Sequence, residues 1–126
     1  MTTFSVSINT QSRWPDGKPE KSEPLPDGRI RHHMPDGRKL TVPAEAGYRI
    51  DYLSTWVGSE EGETYPVNVT FAGLSAVAGF VEVWNYDIGQ MRSYGFHKIV
   101  LITDIKTGET HTGADLCKQL GGVMRA

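Results

Sequence analysis

The densest mix of cationic and aromatic side chains lies in the stretch Gly79–His111, where Arg92 and Lys98 flank Tyr94 and Phe96. Arginine is suited to bidentate binding of a phosphate or carboxylate, and a neighbouring Tyr can stack on a base. The structural alternative is that Arg92 closes a hairpin against a cross-strand acid such as Glu82. A second cationic run spans residues 29–39, with Arg29, Arg31, Arg38 and Lys39. Arg29 and Arg31 share one strand face and Arg38 lies across a turn, a ribbon able to follow phosphates or to meet a partner protein. Against this, charges on an edge strand also protect a sheet from edge-to-edge aggregation, and no aromatic residues are interleaved for stacking.

Catalytic chemistry finds little support. His32 and His33 are adjacent, so on a strand they point to opposite faces and do not share a metal; they read as solvent-facing hairpin residues. No His-x-Glu, Cys-x-x-Cys or His-Glu-x-x-His spacing occurs with His97, His111 or Cys117, and no Gly-rich phosphate loop opens a helix. Glu60, Glu61 and Glu63 read as a solvated loop. No enzyme, metal or cofactor is therefore expected. A net charge of -2 argues against generic nucleic-acid binding by bulk electrostatics. A single cysteine allows no intrachain disulfide, which is compatible with a reducing, cytoplasmic setting. No apolar run approaches the ~18 residues of a membrane span, and no export signal is visible at the N-terminus.

The elements that must position these side chains are short strands. Phe4, Val6 and Ile8 alternate with polar residues, as do Tyr48, Ile50 and Tyr52, and again Val67, Val69 and Phe71. Residues 11–26 are polar and proline-rich and read as a loop or extended arm. Pro-Asp-Gly occurs at 15–17, 26–28 and 35–37. Proline presets the first corner and Gly accepts positive φ, so the tripeptide marks turns, the last of them within a short hairpin. The stretch 72–78 is ambiguous between a helical turn and a loop. Residues 79–84 and 91–95 pair across the turn 86–90, 96–105 continues the sheet, and 106–109 is a turn. Val81, Val83, Ile99 and Leu101 are expected to be core. Thr112 and Asp115 form a capping-box pair for a helix carrying Leu116 and Leu120, ended by Gly121 and Gly122. This gives a mainly β chain: an N-terminal β arm over residues 1–47, then a small antiparallel barrel over 48–126 with a short C-terminal helix.

The stretch resembles the core of the WYL domain family. Phe80-Val81 falls at the Tyr-Leu of the naming tripeptide, with Gly79 at its Trp. Arg92-Ser93-Tyr94 matches the Arg-Ser/Thr-Phe start of the second motif, and Lys98-Ile99 its Arg-Ile end. Residues 104–109 match an Asp-x-x-Thr-Gly-Glu turn, and Tyr48–Tyr52 the first strand. Gly95 stands where the family has a second Arg, and His97 where it has Asp. The resemblance implies an SH3- or Sm-like barrel of the kind found in bacterial transcription regulators and phage-defence proteins. It further implies a ligand-sensing module for a nucleotide-like or nucleic-acid ligand, with Arg92, Tyr94, Lys98, Phe80 and His97 at the ligand. Residues 1–47 hold no helix-turn-helix, so a stand-alone domain is expected, such as a phage protein that has kept only the barrel. The alternative is a protein-interaction module, regulatory or inhibitory, using the hairpin 29–39 or a sheet edge. Arm exchange into a homodimer, with residues 11–26 as hinge, is compatible with either.

Overall fold

Two turns of identical sequence shape the first sheet. The computed structural model describes Val6, Ile8, residues 13–54, Gly58 and residues 60–124. Strands β1 (Lys21–Pro24), β2 (Arg29–His33) and β3 (Lys39–Pro43) form an antiparallel sheet in that order. Pro-Asp-Gly joins each pair. Gly28 and Gly37 both sit at φ 89°, and their N–H groups donate to Leu25 (3.1 Å) and Met34 (3.0 Å) carbonyls. Only glycine enters that backbone region freely, which is why the tripeptide recurs. β1 lies inside the segment expected to be an irregular arm. Its residues show no alternation because both its faces are largely exposed; main-chain bonds to β2, not apolar burial, hold it.

The second sheet has the order β7-β6-β5-β4-β8-β9. Its strands are β4 (Tyr48–Leu53), β5 (Thr64–Leu74), β6 (Phe80–Asn85), β7 (Gln90–Gly95), β8 (Ile99–Asp104) and β9 (Thr110–His111). A 3-10 turn, Phe96–Lys98, leads from β7 to β8, and α1 (Gly113–Leu120) follows β9. The described residues are thus mainly β, with two antiparallel sheets and one short helix. Among the described residues no closed barrel is found; β7 and β9 are the edges of the second sheet. No helix among the described residues is long and apolar enough to cross a membrane. Of the expected first strand, Phe4 lies outside the described residues. Val6 is held by Gln119, whose side-chain oxygen accepts its N–H at 3.0 Å and whose amide donates to its carbonyl at 3.2 Å.

The main core joins Ile50, Val67, Val69, Phe71, Val81, Val83, Phe96, Ile99 and Ile102 to Leu116 and Leu120 of α1. The capping box forms as expected: Thr112 accepts from the Asp115 N–H, and Asp115 accepts from the Thr112 N–H. Gly113 seats the helix closely, since a Cβ there would fall 2.3 Å from the Phe96 carbonyl oxygen. Leu101, expected in the core, is only half-buried, and Ile102 takes the buried place. The reason is a bulge: Asp51 pairs with Leu101 but Tyr52 with Ile99, so Val100 is an extra residue and the alternation changes phase. A second bulge, between Phe71 and Gly73, lets β5 run on through part of the ambiguous stretch to Leu74.

A smaller core joins the two sheets. Met34, Leu40 and Val42 pack on Trp84 and Met91, with Trp14 alongside. β6 is therefore covered on both faces, which explains why its sequence is nearly continuous in apolar residues.

Candidate functional site

β6 and β7 carry Phe80, Arg92 and Tyr94, three of the five residues expected at a ligand, and their register decides which can meet. Val83 faces Arg92, Glu82 faces Ser93, Val81 faces Tyr94 and Phe80 faces Gly95. Cross-strand partners share a face, so Arg92 and Tyr94 lie with Val81 and Val83 on the main-core side. Glu82 lies on the other side and is not the partner of Arg92. Arg92 is exposed at the sheet edge, and no acid or hydrogen-bond acceptor engages its guanidinium among the described residues. Tyr94 is buried edge-on against Tyr52, with ring centroids 4.7 Å apart, and its hydroxyl accepts from Asn85 Nδ2 at 2.8 Å. Burial pushes its phenol up. It is placed as a core residue, not as an open stacking platform. His97 is exposed and Lys98 half-buried in the 3-10 turn beyond Gly95. The Gly95 N–H donates to the Tyr52 hydroxyl at 2.9 Å, so this position serves packing. Phe80 lies on the opposite face from Arg92 and Tyr94.

The arginines of the first sheet are each tied to an acid; Lys39, like Lys21, is exposed. Arg29 pairs with Asp27 at 2.7 Å and Arg38 with Asp36 at 2.8 Å, each within its own Pro-Asp-Gly turn. Arg31 lies 3.6 Å from Glu23. Arg38 does not join a ribbon with Arg29 and Arg31. Its guanidinium turns back over the Trp14 ring, 4.3 Å from the centroid, and donates to the Arg13 carbonyl. The two histidines also differ from the solvent-facing expectation. His32 is buried, stacked on Trp84 at 3.9 Å, with Nδ1 2.6 Å from the Ser22 hydroxyl. The even-numbered side of β2 faces the small core, and an imidazole is flat enough to cover the indole. Burial pushes its pKa down, so it is held neutral. His33, on the outer face, meets Glu23 at 2.8 Å.

The groove that remains is built by the arm lying along β7. Gly17 and Met91 exchange backbone hydrogen bonds of 3.0 and 2.9 Å, which sets Asp16 against Ser93. The Ser93 hydroxyl is then 2.5 Å from Glu82 Oε1 and 3.0 Å from Asp16 Oδ1. A cavity of about 380 Å³ opens beside them, lined also by Trp14, Ser75 and Val77. It adjoins a second of about 270 Å³ that reaches Phe80, Phe96 and Gly122; Arg13 and residues 75–77 line both. Glu82 Oε2 and Trp14 Nε1 are buried with no hydrogen-bond partner among the described residues. Leaving such a group bare costs roughly 1–3 kcal/mol.

Glu82 is 3% exposed, and its pKa is raised to about 7. Burial is the main cause, and the Asp16 charge adds to it; the Ser93 and Ser75 hydroxyls pull the other way. One serine proton cannot satisfy two carboxylates. With Glu82 protonated the chain closes: Glu82 donates to Ser93, and Ser93 donates to Asp16.

None of the residues expected at a ligand lines the cavity beside Glu82; Phe80 lines the adjoining one. Glu82, Ser93, Asp16, Ser75 and Trp14 were not singled out as ligand contacts. Glu82 carried the clearest signal, as an acid inside an otherwise apolar strand. Among the described residues, no group of three or more His, Cys, Asp or Glu side chains stands close enough to hold a metal ion. No family model, curated protein or solved structure matches the chain.

Proposed function

We propose that this chain is a non-enzymatic ligand-binding module and that its site is the groove between the arm and the Glu82–Ser93 face of β6 and β7. The observation that carries this reading is a pair of bare polar atoms, Glu82 Oε2 and Trp14 Nε1, on residues that line one cavity. Native interiors pair such groups, and a small ligand would complete them. The site spans two elements held together by few bonds, so a bound ligand would fasten the arm to the sheet; that coupling is what a sensing module requires. An SH3- or Sm-like plan is supported by the strand order: β4 to β7 meander, a 3-10 turn follows, and β8 returns to pair with β4.

The test is an NMR titration with three small aromatic probes of different charge: nicotinamide, benzamidine and benzoate. At least one should shift the Trp14 indole resonance together with the Ser93 amide, and Trp14→Phe should weaken that probe. If all three leave both signals in place at millimolar concentration, the groove is not a binding site.

A second reading retains the nucleotide-like or nucleic-acid ligand, on the opposite face. It is favoured by the one property that sets Arg92 apart from Arg29, Arg31 and Arg38: its guanidinium engages no acid among the described residues.

A further inference from the structure

We infer that the ligand of the groove is a small organic cation, a guanidinium or amidinium joined to a carbonyl or hydroxyl acceptor, taken between the Glu82 and Asp16 carboxyls. This deepens the binding-site reading above and rests on it. The groove leaves carboxyl oxygens short of donors: Glu82 Oε2 is bare, and Asp16 and Glu82 share one serine hydroxyl. A planar N–H cation supplies the donors these oxygens lack, with charge-assisted bonds in place of neutral ones. The acceptor joined to it answers the bare Trp14 N–H. An anion would instead meet two carboxyls. The chain already uses the same chemistry beside the groove, where the Arg38 guanidinium lies over the Trp14 ring at 4.3 Å. About 380 Å³ is room for such a molecule, within the usual range for small-ligand sites.

Binding of a cation replaces the proton on Glu82. The charged groups that line the cavity with Glu82 are Asp16 and Arg13, both from the arm; Ser75 from the loop and Ser93 from β7 are neutral. Glu82 titrates near 7, so a proton competes with the ligand below neutrality and not above it. Affinity should therefore rise with pH, by about twentyfold between pH 5.5 and 7.5, and then level off.

The experiment is a calorimetric titration of the full chain with N-acetylagmatine, which carries one guanidinium and one amide carbonyl, and with its uncharged urea counterpart. N-acetylagmatine should bind, tighten with pH as stated and release close to one proton at pH 6. The urea should bind at least tenfold more weakly at pH 7.5. Glu82→Gln, a neutral mimic of the protonated acid, should keep the melting temperature at pH 5.5 and lose cation binding with its pH dependence. Equal binding of the two compounds, without pH dependence, overturns the cation while leaving the groove as a site. Failure of both to bind, or to shift the Trp14 indole, overturns the cation and counts against the groove as well.

Discussion

The two faces of β6 and β7 bury polar side chains in opposite ways. On the core face, Asn85 donates to the Tyr94 hydroxyl, while its own oxygen accepts from the Asp87 and Ile88 N–H groups at 2.9 and 3.3 Å. The pair is satisfied and holds the β6–β7 turn. On the arm face of the same strands, Glu82 has one oxygen bonded to Ser93 and the other bare, and Trp14 has a bare N–H. The same two strands thus carry a finished polar network and an unfinished one. α1 and the strands of the large sheet seal the first. A short strap bridged through Gly17 covers the second and leaves a cavity. Finished networks specify structure; an unfinished one beside open volume is where a ligand gains most.

The largest effect should come from the core face. Phe96 is 1% exposed and touches α1 near Gly122, where a Cβ would fall 2.8 Å from its ring. Phe96→Ala should cost about 3–5 kcal/mol in urea unfolding. A loss below about 1 kcal/mol would mean that this face does not carry the stability assigned to it.

Next comes the pH dependence of the arm face. Glu82 is raised from 4.5 to about 7, so the folded state holds its proton more tightly than the unfolded chain does. Its contribution is complete below pH 4.5 and is lost as pH rises through 7, by roughly 3 kcal/mol. His32 acts in the opposite sense: burial lowers its pKa, so stability falls as pH drops through the ordinary histidine range. The difference between the parent chain and Glu82→Gln isolates the first effect. Denaturant melts across pH 4.5–8 should show the decline in the parent and a flat difference curve if Glu82 is not the cause.

A matched pair of smaller changes compares the faces directly. Tyr94→Phe leaves the Asn85 amide without its 2.8 Å partner and should cost about 1 kcal/mol. Trp14→Phe removes a bare N–H together with part of an aromatic surface, so the two terms oppose and the net change should stay within about 0.5 kcal/mol. Equal losses at both positions would erase the distinction between the networks.

The same contrast explains what the sequence could and could not disclose. Alternation located β4 and β5, the last Pro-Asp-Gly turn located the β2–β3 hairpin, and the Thr112–Asp115 pair located α1; β1, with no alternation of its own, was not legible. Each is a local signal read within a few residues. Leu101 was misplaced because the bulge at Val100 leaves no mark in composition. His32 was misplaced because its cover, Trp84, lies 52 positions away in the chain (84 − 32). The groove was hidden for the same reason: Asp16 and Ser93 are 77 residues apart and meet through one backbone bridge. Charge is visible in sequence, but whether a charge is free depends on partners. Asp27 and Asp36 neutralise Arg29 and Arg38 from within the Pro-Asp-Gly turns themselves.

The smallest expected change in stability belongs to the residue that weighed most in the sequence. Arg92 is exposed, lies opposite Val83 and engages no acid among the described residues, so Arg92→Ala should alter unfolding free energy by no more than about 0.5 kcal/mol. Its use lies in what the unchanged fold then reports. If a nucleotide-like or nucleic-acid ligand binds this face, a short single-stranded oligonucleotide that binds the parent chain should lose its affinity for the variant, and its salt dependence should fall with the lost phosphate contact. The groove lies on the other side of the same strands, so binding of N-acetylagmatine should be unaffected. If Arg92→Ala weakens the cation and Glu82→Gln weakens the oligonucleotide, the two faces act as one site and the separation argued from the β6–β7 register fails.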